Sequence, residues 1–287
     1  MTHARVEDLA LATAAAWEAG RRVMESFRAG LAVTMKSPGQ PVTQADLDAD
    51  AILRQRLLAD RPDYGWLSEE TEDTPDRLER RRVWIADPID GTRSYIAGRP
   101  EFSISVGLAE EGEAVVGVVL NPATGELFTA VRGGGAWGAR GPEGERHRLA
   151  VRQPPPAAPG AILASRSEIA ARTLDELGQP RGTDHGWRTD PLGSTAYKLA
   201  RVAAGQADAF VSLGPKGEWD VCAGMLLVEE AGGRATDATG QARSYNRPDP
   251  GLRGVIAGSL VAWERLRERV SALPEGRSEG RAMEGAG

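Results

Sequence analysis

Cysteine is almost missing from this chain. Among 287 residues only Cys222 occurs, so no internal disulfide can form and no multi-cysteine metal site can be built. Histidine is nearly as scarce. His3, His147 and His185 all fall in stretches that read as terminus or loop, so acid–base chemistry must come from carboxylates or from water on a metal. An excess of positive charge is absent too. The net charge is −6 and no Lys/Arg cluster is large enough to track a phosphate backbone, which excludes a nucleic-acid polymer from the expected partners. No apolar run approaches the ~20 residues of a membrane span, so no membrane partner is expected either. The opening stretch MTHARVEDLALATAAAWEAG carries Glu7, Asp8 and Glu18 where a leader peptide would be apolar. It reads as a mature helix, and the expected compartment is the cytoplasm.

What is present is an ordinary globular composition, 41% hydrophobic and 26% charged, enough for a large core. Apolar and small residues recur at helical spacing over residues 5–29, and Thr43 is placed to cap a second helix reaching about Ala59, with Asp46, Asp48 and Asp50 in its early turns. Strands are expected at 66–68, 83–86, 102–108, 114–120 and 126–131, with a hairpin turn at Asn121–Gly125. Residues 72–82 read as a charged linker or helix, and Gly133-Gly134-Gly135 as a turn, since no helical pattern follows it. The run RQPPPAAPG at 152–160 breaks the composition and reads as a linker. It separates an N-terminal α+β half (1–151) from a C-terminal α/β half (161–272), in which strands at 161–164, 209–213 and 255–257 alternate with helices at 167–177, 194–204, 219–231 and 262–270. The tail 273–287 reads as disordered.

Acids sit where buried elements end or begin. Glu69 and Glu70 follow YGWLS, Asp87 and Asp90 follow VWIA, Asp46 opens the second helix and Asp220 opens WDVCAGMLLVEEAGG. Gathering carboxylates costs repulsion and desolvation, which a hard divalent cation removes. With no Cys or His in the set, Mg²⁺ or Mn²⁺ suits it better than zinc. In DPIDGT, Pro88 fixes a sharp turn in which Asp87, Asp90 and the Ile89 carbonyl can face one point, while the amides of Gly91 and Thr92 can bind phosphate. A bare D-P-x-D-G is better read as a capped turn; the matching contexts of Glu69 and Asp220 shift the reading toward the metal.

Taken together, these segments resemble the inositol monophosphatase superfamily of magnesium-dependent, lithium-sensitive phosphatases, and within it the bacterial 3′(2′),5′-bisphosphate nucleotidases. The likeness rests on WIADPIDGTRSYIAG at 84–98, EWDVCAGMLLVEEAGG at 218–233, LSEET at 67–71 and VTQADLDAD at 42–50, in family order. It implies a layered α-β-α-β-α sandwich of the inositol monophosphatase/fructose-1,6-bisphosphatase type and a homodimer. It implies one Mg²⁺ on Glu69, Asp87 and the Ile89 carbonyl, a second on Asp87, Asp90 and Asp220, and a third near Glu69, with Mn²⁺ as a substitute. Thr92 and Asp46 would orient and deprotonate the attacking water, and Gly91 and Thr92 would hold the phosphate of a small-molecule ester. Glu70 is the weaker of its pair, left to solvation. Lys36 either faces the site or is simply exposed.

The substrate is less sharply drawn. Ser212 stands where inositol phosphatases usually carry a hydroxyl-binding glutamate. Ser165-Arg166-Ser167 resembles a nucleotidase segment whose arginine would pair with a second phosphate, and Tyr245 in YNRPDP would stack on adenine. Gly193-Ser194-Thr195 would approach the non-phosphate part of the substrate. The plainer readings are a helix cap at Ser165 or Ser167 and a polar turn at 245–250, while Gly193-Ser194-Thr195-Ala196 is also a good helix cap, which is compatible with a substrate role. The expected activity is therefore hydrolysis of the 3′-phosphate of 3′-phosphoadenosine 5′-phosphate, as in sulfur assimilation; the alternative is an inositol-1-monophosphatase or a fructose-1,6-bisphosphatase-like sugar phosphatase. A phosphatase of haloacid dehalogenase type would need an early D-x-D, which is lacking. A non-enzymatic sensor would have lost Asp46 or Thr92, and both are present. Cys222, Trp84 and Trp219 read as packing residues.

Overall fold

The computed structural model describes residues 2–27, 33–37, 40–153, 160–179 and 186–273. The Pro38-Gly39 break, the prolines of the expected linker, His185 and the tail from Pro274 lie outside them. In chain order the elements are α1 (His3–Ser26), β1 (Val33–Ser37), β2 (Gln40–Thr43), α2 (Gln44–Asp60), β3 (Gly65–Ser68), β4 (Arg82–Asp90), α3 (Thr92–Ile96), β5 (Ser103–Glu110), β6 (Glu113–Asn121), β7 (Glu126–Val131), β8 (Gly135–Arg140) and β9 (His147–Arg148). They continue with β10 (Gly160–Ala164), α4 (Arg166–Ala170), α5 (Asp175–Gly178), β11 (Trp187–Pro191), α6 (Thr195–Ala203), β12 (Ala209–Gly217), α7 (Glu218–Glu230), β13 (Arg234–Thr236), β14 (Gly251–Gly258) and α8 (Leu260–Ser271).

β3 to β9 form a seven-stranded sheet in sequential order, antiparallel except for the parallel pair β3–β4. A five-stranded sheet runs β11-β10-β12-β14-β13. α1 and α2 cover one face of the larger sheet, with Ala12, Ala15, Ala16, Ala19 and Val23 of α1 fully buried at helical spacing. α6 and α7 pack against both sheets, and α8 packs on β12, β13 and β14 of the smaller one, which gives a helix–sheet–helix–sheet–helix sandwich. Two glycines set how close α7 comes to the larger sheet. A Cβ on Gly107 would lie 2.5 Å from the buried Cys222 sulfur, and one on Gly117 would lie 2.8 Å from the Ala223 carbonyl oxygen. That close seat brings the first turn of α7, and with it Asp220, to the end of β4.

Three local expectations change. The helix expected over 167–177 is two short ones, because Arg172 takes a left-handed φ of 56° between α4 and α5. The Gly-rich turn leads into a strand not expected from the sequence, β8, which pairs with β7. β4 does not stop at Ala86 but runs through Pro88 to Asp90. Its pairing with β5 shifts between Asp87 and Asp90, opposite Ser105 and Ser103, so a bulge falls where proline has no N–H to offer.

Candidate active site

A cleft of about 390 Å³ opens at the bulged end of β4. Glu69, Asp87, Asp90, Gly91, Thr92, Ser165, Arg166, Gly193, Ser194, Thr195 and Asp220 all line it, although they come from segments up to about 150 residues apart. Ligand atoms of Asp87, Asp90 and Asp220 lie within 4.8 Å of one another. Each acid spends one oxygen on the protein. Asp90 Oδ2 accepts from the Ser194 hydroxyl at 2.6 Å and from the Ala196 amide. Asp220, the third residue of α7, accepts the Gly217 amide at 2.6 Å, as a helix-capping carboxylate does. Asp87 Oδ1 accepts the Ile89 amide at 3.1 Å. Asp87 Oδ2 is buried with no hydrogen-bond partner. An orphaned carboxylate oxygen among two further carboxylates is what a cation site leaves when its ion is not counted, so the donor set fits Mg²⁺.

Asp46 lies just behind. It is the third residue of α2, where Oδ2 accepts from the Thr43 amide (2.8 Å) and hydroxyl (2.6 Å). Its Oδ1 is 3.1 Å from the Thr92 hydroxyl, which is also 3.0 Å from the Ile89 carbonyl oxygen. One hydroxyl has one proton, so Thr92 gives it to Asp46 whenever the Ile89 carbonyl is engaged elsewhere. Gly91 has a φ of 96°, and a Cβ there would come within 3.1 Å of the Ser194 amide nitrogen, so only glycine fits this turn.

The electrostatics follow from crowding. Burial raises the Asp87 carboxyl well above its ordinary range, and Glu69, Asp90 and Asp220 add to it. Burial also raises Asp90 and Asp46, against their donors. Burial and the charge of Asp90 push Asp220 up to about 7, and burial pushes Glu70 to about 7. Glu70 corrects the expectation of solvation: its side chain is 2% exposed, under the Lys36 ammonium at 2.7 Å, and Lys36 also reaches Glu69 at 2.9 Å. For acids whose folded pKa is raised, the folded state holds protons that the unfolded chain releases, so stability falls as pH rises from about 4 through about 7. The metal-free protein is expected to melt lower at about pH 7.5 than at about pH 5.5, and Mg²⁺ to cancel that trend. Melting curves in chelator check it; a midpoint that climbs with pH would contradict the crowding.

One expected substrate residue is corrected. Tyr245 is not at the cleft: it is buried in the core, with its hydroxyl 3.6 Å from the Met225 sulfur, and cannot stack on a base. Arg166 lines the cleft as expected, and both ends of its guanidinium pair with Glu101, one at 2.7 Å. Ser212 does not leave its position without a carboxylate. Glu168 accepts from the Ser212 hydroxyl (2.9 Å) and from the Leu213 (2.7 Å) and Gly214 (3.2 Å) amides. Burial raises its pKa, but Lys216 and these donors outweigh that and hold it below the ordinary value. Sequence reading also missed Lys198, which lines the cleft 3% exposed, donates to the Leu192 carbonyl at 3.1 Å and forms no ion pair among the described residues. Burial lowers its pKa to about 8 while Asp90 opposes the shift. A lysine inside an apolar helical run was the available clue.

The model of the inositol monophosphatase family matches residues 5–276. The chain belongs to that family of phosphatases. An inositol-1-monophosphatase of Rhizobium meliloti (strain 1021) is 39% identical over 254 residues, covering 86% of this chain and 88% of its own. A 3′(2′),5′-bisphosphate nucleotidase CysQ of Escherichia coli O157:H7 is 32% identical over 244 residues, covering 82% and 94%. The solved structure of extragenic suppressor protein suhB from Bartonella henselae superposes with a TM-score of 0.74 at 30% identity, over 93% of this chain and 99% of that one. The inositol monophosphatase family is Mg²⁺-dependent, and the Asp87–Asp90–Asp220 cluster could hold such an ion. No described helix is long and apolar enough to cross a membrane.

Proposed function

We propose that this chain is a Mg²⁺-dependent phosphomonoesterase acting on a polyol monophosphate of the inositol 1-phosphate type. The observation that carries the chemistry is the unpartnered Asp87 oxygen within the three-acid cluster. Glu69, Asp87, the Ile89 carbonyl, Asp90 and Asp220 would hold the cations. When bound, these neutralise the carboxylates and supply Lewis acidity toward the ester phosphate. The rest falls to the chain. The Gly91 and Thr92 amides hold the phosphate, and the Thr92 hydroxyl orients the attacking water. Thr92 relays that water's proton to Asp46, whose free oxygen lies 3.1 Å away.

The substrate assignment replaces the nucleotide expected from the sequence. Of its two supports, Arg166 is paired with Glu101 and Tyr245 is buried, and a carboxylate, Glu168, stands behind Ser165 of the cleft wall and accepts from the Ser212 hydroxyl. The inositol-1-monophosphatase named above points the same way. One observation favours the bisphosphate reading: the Lys198 ammonium in the cleft, which has no ion pair among the described residues, would suit a second phosphate. Phosphate release from inositol 1-phosphate is expected to exceed that from 3′-phosphoadenosine 5′-phosphate by about tenfold or more in kcat/KM. The reverse preference, abolished by Lys198→Met, would transfer the assignment to the nucleotide. No release from either with Mg²⁺ present would reject both.

A further inference from the structure

Glu101 is absent from the walls of the cleft, yet it touches two segments that form them. It lies between α3 and β5. Its carboxylate receives the Arg166 guanidinium from the start of α4, and Oε2 also accepts the Gly193 amide at 2.9 Å. Gly193 has no room to move: a Cβ on it would lie 2.2 Å from the Ser94 hydroxyl oxygen and 2.5 Å from the Glu101 carbonyl oxygen. The next residue, Ser194, holds a φ of 61°, a conformation that costs a non-glycine residue about 1 kcal/mol or more and must be imposed by its surroundings. From there its hydroxyl reaches Asp90 Oδ2 at 2.6 Å and the Ser103 hydroxyl at 2.9 Å, and the Ala196 amide reaches the same Asp90 oxygen. These donors tie one oxygen of Asp90 and leave the other to the Asp87–Asp220 cluster.

We infer that Glu101 is a positioning residue for the metal ligand Asp90, acting through Gly193 and Ser194, and that Arg166 holds Glu101 in place. Partners that orient a metal ligand typically govern affinity by about 10- to 100-fold, and Glu101 stands one link further out. The inference rests on the metal reading of the cluster and is independent of which ester is hydrolysed.

The test is Mn²⁺ binding to the full chain without substrate, followed by electron paramagnetic resonance, alongside melting curves in chelator. Glu101→Ala is expected to weaken Mn²⁺ binding by about tenfold, with kcat at saturating Mg²⁺ within about threefold of wild type, because the defect lies in cation affinity. Glu101→Gln, which keeps an acceptor for Gly193 but loses the ion pair, should weaken it by about threefold. Arg166→Met should do the same, since Glu101 is then unanchored. Should Glu101→Ala not fold, the other two decide. Folded variants that bind Mn²⁺ as wild type does would overturn the inference, including any that lose only melting temperature, because that is what simple packing predicts. A chain that releases no phosphate from inositol 1-phosphate but loses Mn²⁺ affinity on Glu101→Ala would refute the proposed substrate and leave this coupling standing.

Discussion

Asp87→Asn is expected to raise the melting temperature of the metal-free protein while abolishing turnover. Asp87 is 1% exposed and one of its oxygens has no partner. Its charge is opposed by Glu69, Asp90 and Asp220, so in the absence of a cation it stores repulsion. Asparagine keeps the shape, drops the charge, and offers an N–H₂ to the two remaining carboxylates. Relief of about 1 kcal/mol corresponds to about 2–4 °C in a domain of this size. On the proposed metal reading, the same change removes a central cation ligand. Several kcal/mol of Lewis-acid stabilisation then vanish, so kcat/KM should fall by about a thousandfold or more. Melting curves in chelator and in Mg²⁺, beside phosphate release, read both effects. A variant less stable than wild type in chelator would mean that the protein, not a cation, satisfies Asp87.

Thr92→Ala carries the second large effect. Thr92 and Asp46 share a hydrogen bond of 3.1 Å at the edge of the cleft, and Asp46 is otherwise committed to the α2 cap through Thr43. Loss of a positioned proton relay costs about 10²–10⁴ in rate. The expected signature is a fall in kcat of that order with KM changed little and Mg²⁺ stabilisation intact, and recovery of most of the rate in Thr92→Ser. Asp46→Asn keeps an acceptor for the Thr43 amide and should lose comparable rate. Because the two act as one unit, the double variant should be about as slow as the slower single. Multiplied losses would show that Thr92 and Asp46 serve separate steps.

The features legible in the sequence were those carried within a few residues. The alanine stripe of α1 announces a helix that packs closely, and DPIDGT announces a turn with two acids and a glycine, because strand end, proline and glycine constrain the backbone locally. The same locality misled elsewhere. Tyr245 sits in a polar run, YNRPDP, and reads as surface; in the fold Glu218 accepts the Asn246 amide at 2.7 Å, the Gly112 carbonyl accepts the Tyr245 amide at 2.9 Å, and the ring turns into the core. Glu69 and Glu70 are neighbours with no sequence feature to rank them, yet one side chain is 27% exposed and the other 2%. Both lie just past the end of β3, where no strand or helix repeat sets the facing of a side chain, and only packing decides which one is inside.

The sequence by itself determined the chemistry: carboxylates without cysteine or histidine, placed at element ends, suit a hard divalent cation and a phosphate ester. Tertiary structure decided which groups meet. Asp220 joins Asp87 and Asp90 because Gly107 and Gly117 let α7 lie against the sheet. Arg166 is claimed by Glu101, 65 residues away, and Lys198 is held in the cleft with no ion pair among the described residues. Such pairings follow from how strands order themselves in two sheets, where the distance along the chain between partners carries no local trace.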